Sequence, residues 1–315
     1  MKQNSETHSM LSLIALVMIS ITFAPNISAQ PGKANTGNIT RKWIDLVYAT
    51  QSPAQKLDIY LPEKGDGPFP VILSIHGGAF KSGDKGDNQV NPMLTGLKRG
   101  YAVVSINYRL SGEALFPAQI YDVKTAIRWI RANAKQYKLN PDKIAAWGSS
   151  AGGHLSALLG TSGNDRALED RTMGNATQSS RVSAVVDWFG PTDFLKMDEQ
   201  LKESKVSNPQ VHSIPGSPES ELIGQDLAEA PELVKYANPE TYITKDDPPF
   251  FIQHGRIDHL VPYQQSVNLA KRLEEAMGKE KVTLEIFPNT DHAGPAFFTE
   301  ENLNKVFAFL DKYLK

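Results

Sequence analysis

Short apolar runs, spaced along the chain and separated by segments of helical periodicity, constrain this sequence more than any other feature. Val71-Ile72-Leu73-Ser74-Ile75, Ala102-Val103-Val104-Ser105-Ile106 and Ile144-Ala145-Ala146-Trp147 show no regular polar alternation. A strand buried on both faces reads this way, because neither side of it meets water. Val182–Phe189 and Phe250–Ile252 continue the series, while Val282–Phe287 alternates more, as a strand near a sheet edge does. Between the runs, Ile120, Val123, Ile127 and Ile130 recur at helical spacing, and Val267–Met277 and Leu303–Leu314 behave similarly. Strands alternating with helices build βαβ units, so the expectation is a three-layer α/β/α sandwich around a mostly parallel sheet. Ile39–Tyr48 and Lys56–Leu61, followed by the Pro- and Gly-rich loop Pro62–Pro70, add an antiparallel edge.

One stretch breaks this rhythm. Residues 193–242 hold no core strand and are rich in Lys, Glu, Ser, Pro and Gln. So long an interruption inside a compact domain reads as a lid or pocket wall. The chain start also differs. Lys2 precedes the apolar segment Met10–Ala24, and small residues follow to Ser28-Ala29. That is the pattern of a secretory signal peptide over residues 1–29, cleaved after Ala29 or after Ala24. The apolar run is shorter than the roughly 20 residues that span a bilayer, so no stable membrane anchor is expected after cleavage. Residues 30–315 then form one domain in a secreted or periplasmic bacterial protein.

Composition excludes whole classes of chemistry. The 315 residues contain no cysteine, which removes thiolate nucleophiles, Cys-ligated zinc and disulfides. A formal net charge of −2 and the lack of a basic stripe argue against a nucleic-acid partner. There is no HExxH and no phosphate-binding G-x-x-x-x-G-K-[ST], so neither a metal nor an organic cofactor is expected.

The chemistry lies in two glycine-rich turns. Gly148-Ser149-Ser150-Ala151-Gly152 is a G-x-S-x-G between the run Ile144–Trp147 and a helical segment. In such an elbow the serine sits on a tight strand-to-helix turn, and a Cβ at the flanking glycines would meet neighbouring backbone. Ser150 is thereby placed at a helix N-terminus, where free N–H groups favour developing negative charge. His76-Gly77-Gly78-Ala79-Phe80 follows the run Val71–Ile75. A loop of this kind, together with the Ala151 N–H, can stabilise the oxyanion of a tetrahedral intermediate.

A serine hydroxyl needs a base. His292 lies five residues beyond Phe287, the end of the last strand, and its loop can reach the ends of the central strands. His154 reads as structural, His76 as shaping its loop, and His212 as an outsider within the 193–242 segment. The third group must hold the imidazole tautomer. Asp258, just after Phe250–Ile252, completes the chain order Ser, Asp, His that goes with a nucleophile elbow. Asp193, which follows another core strand, is its rival. Asp246 and Asp247 precede their strand, and Asp291 is the sequence neighbour of the base.

These residues, with Tyr108-Arg109-Leu110, Asp187-Trp188-Phe189-Gly190-Pro191-Thr192-Asp193 and Val261-Pro262, resemble an α/β-hydrolase of the esterase/lipase type. The sequence is similar to hormone-sensitive-lipase-like carboxylesterases and more so to bacterial acetyl-xylan/feruloyl esterase-like (BD-FAE-type) hydrolases. The resemblance covers residues 40–315. It implies a catalytic triad of Ser150, Asp258 and His292, with oxyanion donors at Gly78, Ala79 and Ala151. Two departures stand out. Ala79 replaces the third glycine of H-G-G-G, and Asn289-Thr290-Asp291 replaces Gly-x-Gly before the base.

The implied function is a serine carboxylesterase acting through an acyl-enzyme on a small-molecule or polysaccharide ester, with acetyl-xylan or feruloyl esters the substrate class. Phe80, Phe116 and Trp188 are candidate pocket walls, since aromatic faces suit sugars or a feruloyl ring. Trp188 is equally placed to be core at a strand end. The other readings are a general short-chain carboxylesterase or lipase, a serine peptidase of the same scaffold, and a non-catalytic binding protein. The presence of nucleophile, acid and base together disfavours the last.

Overall fold

The computed structural model describes residues 32–315; the leader expected over residues 1–29 lies outside the described residues. Eight strands occur among them: β1 (Lys42–Val47), β2 (Lys56–Tyr60), β3 (Phe69–Ile75), β4 (Ala102–Ile106), β5 (Leu139–Ser149), β6 (Ala184–Trp188), β7 (Phe250–Gly255) and β8 (Val282–Phe287). They form one sheet in the order β1-β2-β4-β3-β5-β6-β7-β8. β2 pairs antiparallel with both β1 and β4, and every other pairing is parallel. The apolar runs are the inner strands. Val71–Ile75 of β3 is hydrogen-bonded on one side to Ala102–Ile106 and on the other to Ile144–Gly148. β8 is the edge strand opposite β1 and its residues are largely half-buried, which is why it alternates.

Eight α-helices among the described residues accompany the sheet: α1 (Asn91–Leu94), α2 (Ala118–Asn133), α3 (Ala151–Thr161), α4 (Met197–Ser204), α5 (Pro218–Ile223), α6 (Pro231–Ala237), α7 (Gln264–Met277) and α8 (Glu300–Leu314). Alternate side chains of each strand serve two cores. Val71, Leu73 and Ile75 face one that includes Ile120, Val123, Ile127 and Ile130 of α2, Leu155 and Leu158 of α3, and Leu269 and Leu273 of α7. Ile72, Val103, Ala145 and Trp147 face a second, closed by Met93 and Leu94 of α1 and by Val306, Phe307 and Leu310 of α8. Each fully buried aliphatic or aromatic side chain contributes about 1.5–3 kcal/mol relative to exposure. Burial on both faces therefore selects a three-layer α/β/α arrangement.

The connectivity places the site. The chain steps from β3 to β4 on one side, then crosses back over β3 to reach β5 on the other. The connections leaving the C-terminal ends of β3 and β5 diverge, and the crevice between them is where an open α/β sheet binds ligands. Both glycine-rich turns open onto it. Between β6 and β7, residues 193–242 fold into α4, α5 and α6 without a strand. Phe194, Met197, Leu222, Leu227 and Val234 of this segment are buried in the α2/α3/α7-side core. Its backbone also ties to nearby loops: Phe116 N–H donates to Leu222 O (2.9 Å) and Gln210 N–H to His259 O (2.9 Å).

Candidate active site

Ser150, between β5 and α3, has φ 55° and ψ −123°, a conformation L-residues avoid unless surrounding structure enforces it. Here it does. A Cβ on Gly148 would strike the carbonyl of Gly152, and a Cβ on Gly152 would strike the carbonyls of Ile75 and His76. The two glycines let the elbow nest against the end of β3. Ser150 N–H donates to Trp188 O (2.9 Å), and Ser150 O accepts from His154 N–H (2.9 Å). Ala151 opens α3, so its N–H has no acceptor within the helix.

The loop after β3 holds three consecutive positive φ values: Gly78 at 115°, Ala79 at 55° and Phe80 at 61°. Non-glycine residues held this way store about 1–3 kcal/mol each. The restraint comes from packing. Phe80 is wedged against His154 (5.2 Å between ring centroids) and Phe194 (6.2 Å), and Gly78 O accepts from Lys81 N–H (3.0 Å) and Ser82 N–H (2.9 Å). His76 stacks on Tyr108 (4.5 Å), whose hydroxyl donates to His76 O (3.0 Å). Burial lowers the His76 pKa, and its Nδ1 faces Gly77 O at 2.8 Å, so a neutral imidazole shapes this loop. Among the described residues, Gly78 N–H and Ala79 N–H have no hydrogen-bond partner. A donor pair left open beside the elbow suits an oxyanion. Gln89 clasps the two turns together. Its Oε1 accepts from Gly77 N–H (2.9 Å) and Ser149 Oγ–H (3.3 Å). Nothing in the spacing of the sequence marks Gln89 for that position.

At the other side of the crevice, Asp258 follows β7 and is fully buried. Its Oδ1 accepts from Leu260 N–H (2.9 Å) and Val261 N–H (2.8 Å). Its Oδ2 lies 2.7 Å from His292 Nδ1 and 3.3 Å from His254 Nε2. Burial opposes the charge, but His292 and His254 outweigh it, and the Asp258 pKa is strongly lowered. The carboxylate is therefore ionised throughout the neutral range. His292 is fixed further by Asp291, whose Oδ1 accepts its N–H (2.7 Å), and by the ring of Phe189 at 4.6 Å. Phe189 directly follows Trp188, the residue whose carbonyl holds Ser150. Asp258 and His292 are thus joined. Ser150 Oγ and His292 Nε2 make no hydrogen bond to each other, a contact that in ligand-free hydrolases is often long until substrate closes it.

The remaining histidines and acids have other employment. His154 is buried with Nδ1 2.8 Å from Pro191 O, and burial lowers its pKa to about 4. His212 is pinned between Glu219 Oε2 (2.8 Å from Nδ1) and Leu260 O (2.8 Å from Nε2), which welds the 193–242 segment to the Asp258 loop. Asp291 Oδ1 lies 2.7 Å from Nδ1 of His259. Asp193 spends Oδ1 on Leu195 N–H (3.2 Å), at the start of the inserted segment.

The aromatic pocket walls are corrected in two cases. Phe80 and Trp188 are each 1% exposed. Phe80 belongs to one core; Trp188 packs in the other, against Trp147 (5.0 Å) and Phe297 (5.5 Å). Positive φ at Phe80 turns its side chain inward, and Trp188 follows the alternation of β6 into the α1/α8-side core, where Phe189 is buried as well. Phe116 alone of the three is half-buried, edge-on to Tyr236 (5.5 Å).

The family model for BD-FAE matches residues 57–273. The chain belongs to the BD-FAE family. Among solved structures, a bifunctional GH43-CE of Bacteroides eggerthii is 38% identical with a TM-score of 0.78, over 87% of this chain and 35% of that one. A truncated carbohydrate esterase from gut microbiota is 34% identical with a TM-score of 0.76, over 89% of this chain and 99% of that one. Among curated relatives, the "Probable carboxylic ester hydrolase LipM" of Mycobacterium tuberculosis is 34% identical over 252 residues, 79% of this chain and 55% of the relative. The chain spans about half the length of the curated relatives it matches.

Proposed function

We propose that this BD-FAE-family protein is a serine carboxylesterase that removes small acyl groups, foremost acetyl, from carbohydrate. The observation that carries the reading is the arrangement around the crevice. A serine at φ 55° heads a helix, two open N–H groups stand on the loop after β3, and a buried carboxylate lies 2.7 Å from His292.

In this mechanism Ser150 Oγ attacks the ester carbonyl carbon while its proton passes to His292 Nε2. Asp258 accepts the Nδ1–H bond of the resulting imidazolium and stabilises its charge. The carbonyl oxygen becomes an oxyanion held by the N–H groups of Gly78, Ala79 and Ala151. Collapse breaks the bond to the alcohol, which leaves with the proton from His292. Water then attacks the acyl-enzyme, giving its proton to the same imidazole, and the carboxylic acid and Ser150 are released.

Two lines support carbohydrate as the alcohol. The GH43-CE protein and the gut carbohydrate esterase are similar over most of this chain, and the Met10–Ala24 segment suits export to where polymeric substrates lie. Acetyl is favoured over feruloyl because two of the three aromatic wall candidates, Phe80 and Trp188, are in the core, which leaves Phe116 alone to face a ring. A panel of p-nitrophenyl acetate, acetylated xylan, methyl ferulate and a long-chain lipid ester tests the reading. The acetyl esters are expected to turn over, and Ser150→Ala to lose on the order of 10³–10⁶ in kcat. Undiminished activity of Ser150→Ala would refute the serine mechanism; turnover of the lipid ester alone would refute the carbohydrate assignment.

A further inference from the structure

His254 lies at the end of β7 and is fully buried. Its Nε2 faces two acceptors, Val261 O at 2.9 Å and Asp258 Oδ2 at 3.3 Å. A nitrogen between a carbonyl and a carboxylate has to carry the proton. In the neutral ring Nδ1 is then an acceptor, and its neighbour at 2.7 Å is Ser266 Oγ on α7, a hydroxyl able to donate. One tautomer satisfies both hydrogen-bonded partners, with Nε2–H donating to Val261 O, and it sets that N–H beside the carboxylate oxygen that already serves His292.

We infer that His254 is a positioning residue for the Asp258–His292 pair: by sharing Asp258 Oδ2 it moderates how strongly the carboxylate holds the proton of His292. This rests on the triad reading above. The physical argument is competition for one anionic oxygen. Each N–H bond to Oδ2 disperses part of its charge, so a second donor weakens its pull on the first. A base that holds its proton too tightly stays protonated into the working pH range and is unavailable to Ser150. Asp187 on β6 is a buried acid, and burial raises its pKa to about 6. Phe189 meets the ring edge-on at 6.4 Å, and α7 contributes only the Ser266 hydroxyl. Around His292, Asp291 is engaged by the His292 N–H and by His259 Nδ1.

The test is the pH dependence of kcat/KM on p-nitrophenyl acetate for the full chain and for His254→Phe, His254→Gln and Ser266→Ala. His254→Phe removes the donor and keeps a planar ring. Its acid limb is expected to move to higher pH by about half a unit, a threefold change in proton affinity. His254→Gln, which keeps an N–H, is expected to restore most of that displacement. Ser266→Ala, which keeps the imidazole but withdraws the hydroxyl that polarises it, is expected to move the limb the same way by less, and covers the case in which His254→Phe does not fold. An acid limb that stays in place or moves to lower pH in both His254→Phe and Ser266→Ala, with activity merely scaled down, overturns the inference. The triad itself is read separately: wild-type activity in Asp258→Asn would overturn that reading and this one together, whereas an inactive Asp258→Asn with unmoved limbs overturns this one alone.

Discussion

The two sides of the crevice are built by different physics. On the side of β3 and β5, Ser150, Gly78 and Ala79 are positioned by backbone conformation, and glycines at 148 and 152 admit carbonyls where a Cβ would collide. On the side of β7 and β8, Asp258 and His292 are positioned by a side-chain hydrogen bond across 34 residues of sequence, and the carboxylate also accepts from two backbone N–H groups and has the His254 imidazole beside it. The first side is set by steric fit. The second is set by charge. A strained nucleophile needs a rigid frame, whereas a proton carrier needs a partner that keeps its charge while the carrier gains and loses its own.

This contrast can be broken on either side. The largest effect is expected from the electrostatic one. Asp258→Asn preserves shape but loses the anion, and kcat is expected to fall by about 10³–10⁴. Asp193→Asn is expected to leave kcat within a few-fold, since Asp193 caps its own segment. A reversal of the two in steady-state kinetics would hand the acid role to Asp193. On the steric side, Gly152→Ala is expected to destabilise the fold by at least about 3 kcal/mol, seen in denaturant unfolding, because the new methyl meets the Ile75 and His76 carbonyls rather than a flexible side chain. A near-neutral result would mean that the elbow yields and is not rigid.

The smallest effect sharpens the electrostatic side. Burial works to lower the His212 pKa, but the hydrogen bond and charge of Glu219, aided by Leu260 O and Asp198, leave it raised. A group whose folded pKa is raised contributes stability that is complete below its unfolded value near 6.5 and is lost as pH climbs through the raised folded value. The stability difference between wild type and His212→Gln is therefore expected to be greatest below about pH 6.5. It should shrink as pH rises, by about 2–4 °C in Tm, the scale of 1 kcal/mol in a large domain. A pH-independent difference would show that His212 only fills space.

Most of the fold was legible because its determinants are local. Val71–Ile75, Ala102–Ile106 and Ile144–Trp147 are mostly apolar, broken only by Ser74 and Ser105, because each strand is covered on both faces, and that pattern survives without knowing which helix covers which face. Gly148 and Gly152 were legible for the same reason: an elbow imposes its backbone demand within five residues. The aromatic residues were less so. Phe80 and Trp188 lie beside the right motifs, yet the positive φ of Phe80 and the alternation along β6 turn both rings into the cores. Gln89 and His254 were not legible as site residues, since their partners are set by loop closure and not by spacing.

By itself the sequence determined a mostly parallel sheet flanked by helices, a glycine-framed serine after β5 and a Gly-Gly-Ala loop after β3, because apolar runs and glycine requirements act within a few residues. Only the tertiary structure decided that Asp258 rather than Asp193 lies against His292, that Asp258 also touches His254, and that His212 fastens the inserted segment to the Asp258 loop. Those are encounters between side chains distant in sequence. They exist only once the strand order β3-β5-β6-β7-β8 has brought the loops at the strand ends together, and no periodicity along a single chain encodes them.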